Sequence, residues 1–199
     1  MFVRRERDVE LRANEIRGDY RIEWTEKARA RGFHYSTGGK MPSTGSMTTA
    51  GAAGLIICQS MLWKSRKFTG EERARTRAAI RDAMAWQQTH FDVTQNPGAG
   101  PAAHYYYLYG LERMGILAHT RFIGKTDWYE LGAEFLMHEQ DDVGSWQGGD
   151  VVDSSFALLF LKRSSFRVAN PVITPSEPEP AKGTTPPADA AMGEGTPSK

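Results

Sequence analysis

Three stretches of this chain, residues 47–62, 102–118 and 155–161, are apolar or small on nearly every side. A helix without a charged face has to be wrapped by others. Their starts, near Ser46, Ala103 and Ser154, recur at roughly 50 residues, the spacing of stacked helical hairpins in which each unit buries its apolar face on the next. Amphipathic segments lie between them. Residues 71–91 place Ile80, Ala83, Met84, Gln87 and Phe91 on one stripe, with Arg73, Arg77, Arg81 and Asp82 mostly elsewhere. Residues 128–139 repeat the pattern with Trp128, Leu131, Phe135 and Leu136, and Asp127 with Glu130 reads as an N-cap and first-turn acid. The expected fold is all-α: about three outer-to-inner helical hairpins within residues 1–163. The first outer helix has to come from residues 5–30. Val9, Leu11, Ile16, Tyr20, Ile22 and Trp24 are unevenly spread there, and Gly18 weakens a single helix by roughly 1 kcal/mol, so two shorter helices are expected.

Composition narrows the classes. The longest apolar stretch, 50–58, is broken by Gly51 and Gly54 and falls short of the roughly 20 residues a spanning helix needs. Met1 is followed at once by charged residues, so no signal segment is visible and the cytoplasm is the default compartment. Net charge is +1 with bases and acids interleaved, which reads as solvated helix faces rather than a nucleic-acid surface. Cys58 is the single cysteine, so no intramolecular disulfide forms. From Ser164 the chain turns to Pro, Gly, Ala, Thr, Ser and Glu. Residues 164–199 are expected to be a disordered tail, compatible with a linker or a solubilising segment, because too little apolar surface is available to offset the cost of ordering it.

The corner between the second amphipathic segment and the third apolar one reads Gln140-Asp-Asp-Val-Gly144-Ser-Trp146. Trp146 offers a large apolar body with one N–H donor, Gln140 a donor and an acceptor, and Gly144 a turn that a side chain would obstruct, so together they can staple two helix ends. With Gly132-Ala133 and Phe135-Leu136 before it, this corner resembles the glutamine-tryptophan repeat of the α/α-toroid superfamily, which holds squalene and hopene cyclases and protein prenyltransferase β-subunits. Weaker copies stand at Gly32-Phe33-His34-Tyr35 and Trp86-Gln87-Gln88, and the likeness spans about residues 28–163. The run from Tyr105 to Arg113 and Asp127-Trp128-Tyr129 are similar to bacterial proteins with prenyltransferase and squalene-oxidase-type repeats, a group without a settled activity.

The resemblance implies two chemistries, and the residues fit neither. Protonating cyclases use an Asp-X-Asp-Asp segment whose middle Asp gives the proton. The corresponding place here reads Asp150-Val151-Val152-Asp153, and Val152 has no proton to give. Asp150 and Asp153 remain as ligand-lining candidates, although an Asp before a helix is more often a cap, the role expected of Asp153. Prenyltransferases need a zinc site built from Asp, Cys and His. Cys58 has no neighbouring acid, and His34, His90, His104, His119 and His138 lack ligand spacing, so no metal or cofactor is expected and Cys58 reads as a small buried core residue. Asp141 and Asp142 read as solvated turn acids rather than magnesium ligands. Tyr105, Tyr106, Tyr107 and Tyr109 are the best remaining clue. Tyr105 and Tyr109, at helical spacing, are candidates to line a concave apolar site, with core packing as the competing reading.

A closed toroid of that superfamily takes about six hairpins against the three expected here. The chain then makes a half-barrel, a piece of a longer protein or one of a pair, and a half-barrel exposes apolar surface of the kind that marks an interaction site. The expected role is a non-catalytic scaffold or binding module, for a second copy, another toroid half or an apolar small molecule. The alternative is a fragment of a cyclase-like or prenyltransferase-like enzyme whose active residues lie outside this chain.

Overall fold

The computed structural model describes residues 8–17, 20–36 and 41–163, and for 12–26 the backbone alone. The expected tail, 164–199, lies outside the described residues. The described chain is predominantly helical. Its helices are α1 (Gly45–Leu62), α2 (Gly70–Thr89), α3 (His104–Leu117), α4 (Trp128–His138) and α5 (Val151–Lys162).

Within the range 5–30 the described segments are strands and not helices, and the all-α expectation is corrected here. Strands β1 (Asp8–Arg17) and β2 (Tyr20–Arg29) form an antiparallel hairpin, with Asp8 opposite Arg29 and Arg17 opposite Tyr20. The physical reason is the period. Tyr20, Ile22 and Trp24 alternate with Arg21, Glu23 and Thr25, a spacing of two rather than 3.6, and aromatic and β-branched residues favour extended backbone. Two short strands, β3 (Phe122–Ile123) and β4 (Thr126–Asp127), complete a sheet of order β2-β1-β3-β4. The sheet lies against α2. Gln88 Nε2 donates to the Glu10 carbonyl at 3.0 Å, and Asp82, buried on α2, accepts from Arg29 N at 2.9 Å and from Arg31 Nε at 2.7 Å. Asp82 so holds the end of β2.

The helices follow their local signals. Thr69 and Glu72 make a reciprocal capping box at the start of α2, and Asp127 caps α4 by accepting from Tyr129 N and Glu130 N. Helix α5 begins four residues earlier than the pattern at 155 suggests, and this corrects the expected cap: Asp150 accepts from Asp153 N at 2.8 Å, while Asp153 sits in the first turn.

Side-chain contacts set the directions. On α1 and α3, Gly45 faces Tyr107 and Gly110 faces Thr49, so the two helices run the same way. His104 and Asp153 interact at the start of α3 and α5, and further along Tyr109 stacks on Phe156 at 5.3 Å, so α5 runs with them. Helix α4 returns: Trp128, at its start, lies against Gly115 near the end of α3, and the Tyr129 hydroxyl donates to the Leu161 carbonyl at 2.9 Å. Helix α2 returns beside α1, since Arg73 near its start donates to the Trp63 carbonyl at 2.9 Å. Helix α3 is central, and Tyr107, Leu108, Leu111 and Met114 are fully buried in the core.

Cys58 is corrected too. It is exposed on α1, on the face where Gly54 and Met61 are also exposed. Among the described residues no helix is long and apolar enough to cross a membrane.

Two glycines give opposite predictions. A Cβ on Gly110 would stand 2.4 Å from Thr49 Oγ1, and Thr49 is buried with a stiff β-branched side chain. Gly110→Ala is therefore expected to cost roughly 1–3 kcal/mol in chemical denaturation. A Cβ on Gly54 meets nothing within 4 Å. Gly54→Ala, on an exposed helix interior, should stabilise by about 0.5–1 kcal/mol.

Candidate functional site

The N-terminal ends of α1, α3 and α5 gather on one side of the molecule, together with the loops that enter them. In the loop before α3, the Asp92 carboxylate accepts from Thr94 N, Thr94 Oγ1 and Gln95 Nε2 at 2.7–2.8 Å. Burial pushes its pKa up, and these bonds outweigh that and hold it below the usual aspartate value. Asn96, 1% exposed, ties this loop to the start of α1 and to its own last residues before α3. Its Oδ1 accepts from Ser46 N at 2.9 Å, and its Nδ2 donates to Ser46 Oγ at 3.0 Å and to the Ala102 carbonyl at 2.8 Å. The loop ends on Ala103, in the left-handed region at φ 53°, and α3 opens directly with His104.

His104 is 8% exposed and packs its ring against Phe135 at 5.1 Å. Its Nε2 lies 2.8 Å from the Val93 carbonyl. A carbonyl only accepts, so the ring proton is on Nε2, and Nδ1 is an acceptor while the ring is neutral. Burial pushes the His104 pKa down, against the opposing pull of the Val93 carbonyl and of Asp92, Asp153 and Glu139. Nδ1 has no protein partner among the described residues.

A cleft of about 650 Å³ opens in front of this ring. Thr94, Gln95 and Pro101 line it from the loop, Phe135, His138 and Glu139 from the end of α4, and Gln147 from the corner before α5. Gln147 is placed by the corner itself. Gln140 Nε2 donates to the Gly144 carbonyl at 3.0 Å, and Gly144 turns the chain at φ 85°. The Trp146 indole, 1% exposed, donates to the Leu136 carbonyl at 2.8 Å, and Trp146 N donates to Ser154 Oγ at 3.1 Å. One tryptophan so joins the last turn of α4 to the first of α5.

The sequence candidates divide. Tyr105 is buried, and that burial pushes its pKa up against the pull of the nearby Gln147 side chain. Asp153 stands behind His104, with its pKa raised by burial and by Asp150 and lowered by His104. These two belong to the cleft's surroundings. Asp150 is spent on the α5 cap. Tyr109 lies further along α3, half-buried beside Phe156, and accepts from Arg113 Nη1 at 3.1 Å. Tyr105 and Tyr109 do not share one surface. Tyr107 is the core member of the run: it accepts from Gln87 Nε2, and burial drives its pKa far up.

His104, Phe135, Glu139 and Gln147 carry the cleft, and the sequence did not single them out for it. They come from separate segments with no shared motif, so only the fold brings them together. What they offer is binding chemistry: an aromatic wall, an unprotonated ring nitrogen, a carboxylate and side-chain amides. Among the described residues no cluster of His, Cys, Asp or Glu could hold a metal ion.

Two outcomes test this geometry. The folded His104 ring binds its proton less tightly than the ordinary value of 6.5, so as pH falls the unfolded chain takes up more protons. Its contribution is complete above about pH 6.5 and is lost below it. The urea midpoint of the wild type should then drop more between pH 7.5 and 5.5 than that of His104→Gln. Trp146→Phe keeps most of the ring volume but removes the donor to Leu136, and should cost about 1–3 kcal/mol in the same assay.

Comparison with protein-family models, with curated proteins and with solved structures finds no match to this chain.

Proposed function

We propose that the chain is a non-catalytic module of the α/α-toroid type that works by binding, with the apolar surface of a protein as its occupant. One observation carries this reading: inner helices keep faces on which no other described helix lies. On α1, Gly54, Cys58 and Met61 are exposed at steps of four and three residues, and on α5, Val151, Ser155 and Leu158 repeat that spacing. Between these helices α3 adds half-buried Tyr106, Tyr109 and Ile116, interrupted by Arg113. Leu158 is 58% exposed on a helix only twelve residues long, which is costly unless something covers it.

A small apolar ligand is the weaker occupant. Such ligands are held in concave pockets that bury most of their surface. The described cleft is wide open to solvent and sets Phe135 and Pro101 among His104, Glu139 and side-chain amides, while the larger apolar faces are open helix surface. Parallel α1, α3 and α5 with returning α2 and α4 support the toroid-type reading, as does the Trp146 corner. Val152, 60% exposed, adds no proton donor at the start of α5.

Dye binding to apolar surface, read beside the solution mass from light scattering, is the test. The wild type should bind an environment-sensitive dye while monomeric, or bind little as a dimer whose faces are covered. Leu158→Lys should at least halve whichever signal is present, with stability changed by no more than about 0.5 kcal/mol. Turnover of squalene or of a prenyl diphosphate by the purified chain would overturn the reading.

A further inference from the structure

Charge and exposed apolar side chains are divided between the two ends of the inner helices. Residues 88–103 and 135–155, which lead into α3 and α5 at this end, contain no Lys or Arg. They do contain Asp92, Glu139, Asp141, Asp142, Asp150 and Asp153. Within this acidic end Val143 is 88% exposed and Val151 76%. The opposite end carries the turn from α1 to α2. There Met61, 80% exposed, precedes Lys64, Arg66 and Lys67, all exposed and without an ion pair among the described residues.

The basic turn is backed by more charge of its own sign. Arg73 and Arg77, one helical turn apart on α2, lean over the Trp63 ring at 5.0 and 5.8 Å. The Nε of each is buried without a partner. No carboxylate of the described residues bonds to either guanidinium, and Glu72, the nearest acid in sequence to Arg73, is engaged on Thr69.

We infer that the acidic cleft end of one copy of this chain receives the basic turn at 64–67 of another. The fit has two parts. An Arg or Lys side chain brings only donors, and the cleft offers the Glu139 carboxylate, of which Oε1 alone meets His138 Nδ1 at 3.0 Å, His104 Nδ1 and the side-chain oxygens of Gln95 and Gln147. Met61 and Leu62 accompany the basic turn, and Val143, Val151 and Val152 flank the cleft, so apolar surface meets apolar surface while opposite charges fix the orientation. The occupant is a second copy because both halves of the match stand on this chain, at opposite ends of parallel helices. The contact is heterologous and leaves one free end of each kind on every pair, so association continues into short open chains. It goes beyond the proposed function, since it uses the ends of the inner helices and not their uncovered faces.

Light scattering of the full chain across a concentration series tests this, at about 0.05 and about 0.5 M salt, where the screening length differs about threefold. The average mass should rise with concentration at low salt, and the apparent association constant should fall at least tenfold at high salt. Lys64→Glu/Arg66→Glu/Lys67→Glu makes both ends acidic, and Glu139→Lys/Asp142→Lys leaves four acids against two lysines at the cleft end, with one lysine in the cleft wall itself. Circular dichroism should show each variant folded, and each alone should be monomeric at low salt. An equimolar mixture should regain association at low salt, because the acidic cleft end of the first variant meets the intact basic turn of the second. A wild type that stays monomeric at low salt would overturn the inference. So would association that neither salt nor the charge reversals change, and that result would leave the uncovered helix faces as the site of assembly.

Discussion

The close approach of α1 and α3 is the constraint on which the rest of this structure depends. The contact is made by two glycines, Gly45 under the Tyr107 ring and Gly110 against Thr49, and a side chain at either would meet its neighbour within 2.7 Å. Such an approach uses backbone as packing surface, which is why Thr49, fully buried, spends its hydroxyl within α1 on the Gly45 and Ser46 carbonyls. With α1 on one side and α5 on the other, α3 has little water left to meet. Its polar groups have to find partners inside, as the Tyr107 hydroxyl does with Gln87.

The entries to the inner helices solve a second problem. Several helix ends converge where the backbone leaves orphan N–H and carbonyl groups, and the loops supply partners through a few buried side chains. Asn96 ties the start of α1 to the loop before α3 with three hydrogen bonds, and Trp146 joins α4 to α5 with its indole and its backbone N–H. Trp128 does the same at the other end, donating to the Thr120 carbonyl at 2.8 Å. Each buried indole fills space and satisfies one carbonyl at once, so the corner is rigid without a metal or a disulfide. The cleft inherits that rigidity, because Gln147 follows Trp146 directly and His104 follows the loop that Asn96 holds.

Much of the helical framework is legible in the sequence, since largely apolar and amphipathic segments alternate and Asp127 announces the start of α4. The hairpin at 8–29 is not, although Tyr20, Ile22 and Trp24 alternate and Gly18-Asp19 has the composition of a two-residue hairpin loop. Dense interleaved charge in that segment fits the exposed face of a helix as readily as a strand, and this masks the shorter period. The α5 cap lies three residues before the expected one because Val151 and Val152 carry no helix-start signal, and the Asp at either end of Asp150-Val-Val-Asp153 makes an acceptable cap. Cys58 shows the limit of an apolar pattern. A helix without charges need not be surrounded, and among the described residues one face of α1 has no helix upon it. The cleft is out of reach because hydrophobic periodicity tells which face of an element is buried, and not which loop ends meet across the fold.

The placement of charge serves fold and site through the same field. Asp150 and Asp153 lie at the N-terminus of α5, where the partial positive charge of the helix end favours carboxylates. Asp92 is fixed by its own turn, and Asp141 is held below the usual carboxylate range by hydrogen bonds from Ser145. Each acid has a local reason to be where it is. Their sum, with no Lys or Arg in the same loops, makes the mouth of the cleft negative, and burial favours the neutral His104 ring, whose Nδ1 lone pair is then an acceptor. At the far end Arg73 and Arg77 give their apolar stems and guanidinium faces to Trp63, so α2 is anchored by cations whose charge no described carboxylate cancels. Interactions chosen locally for helix ends and ring faces thus leave the molecule electrically polar along its inner helices, and a fold held this way carries a direction for association in the same residues that stabilise it.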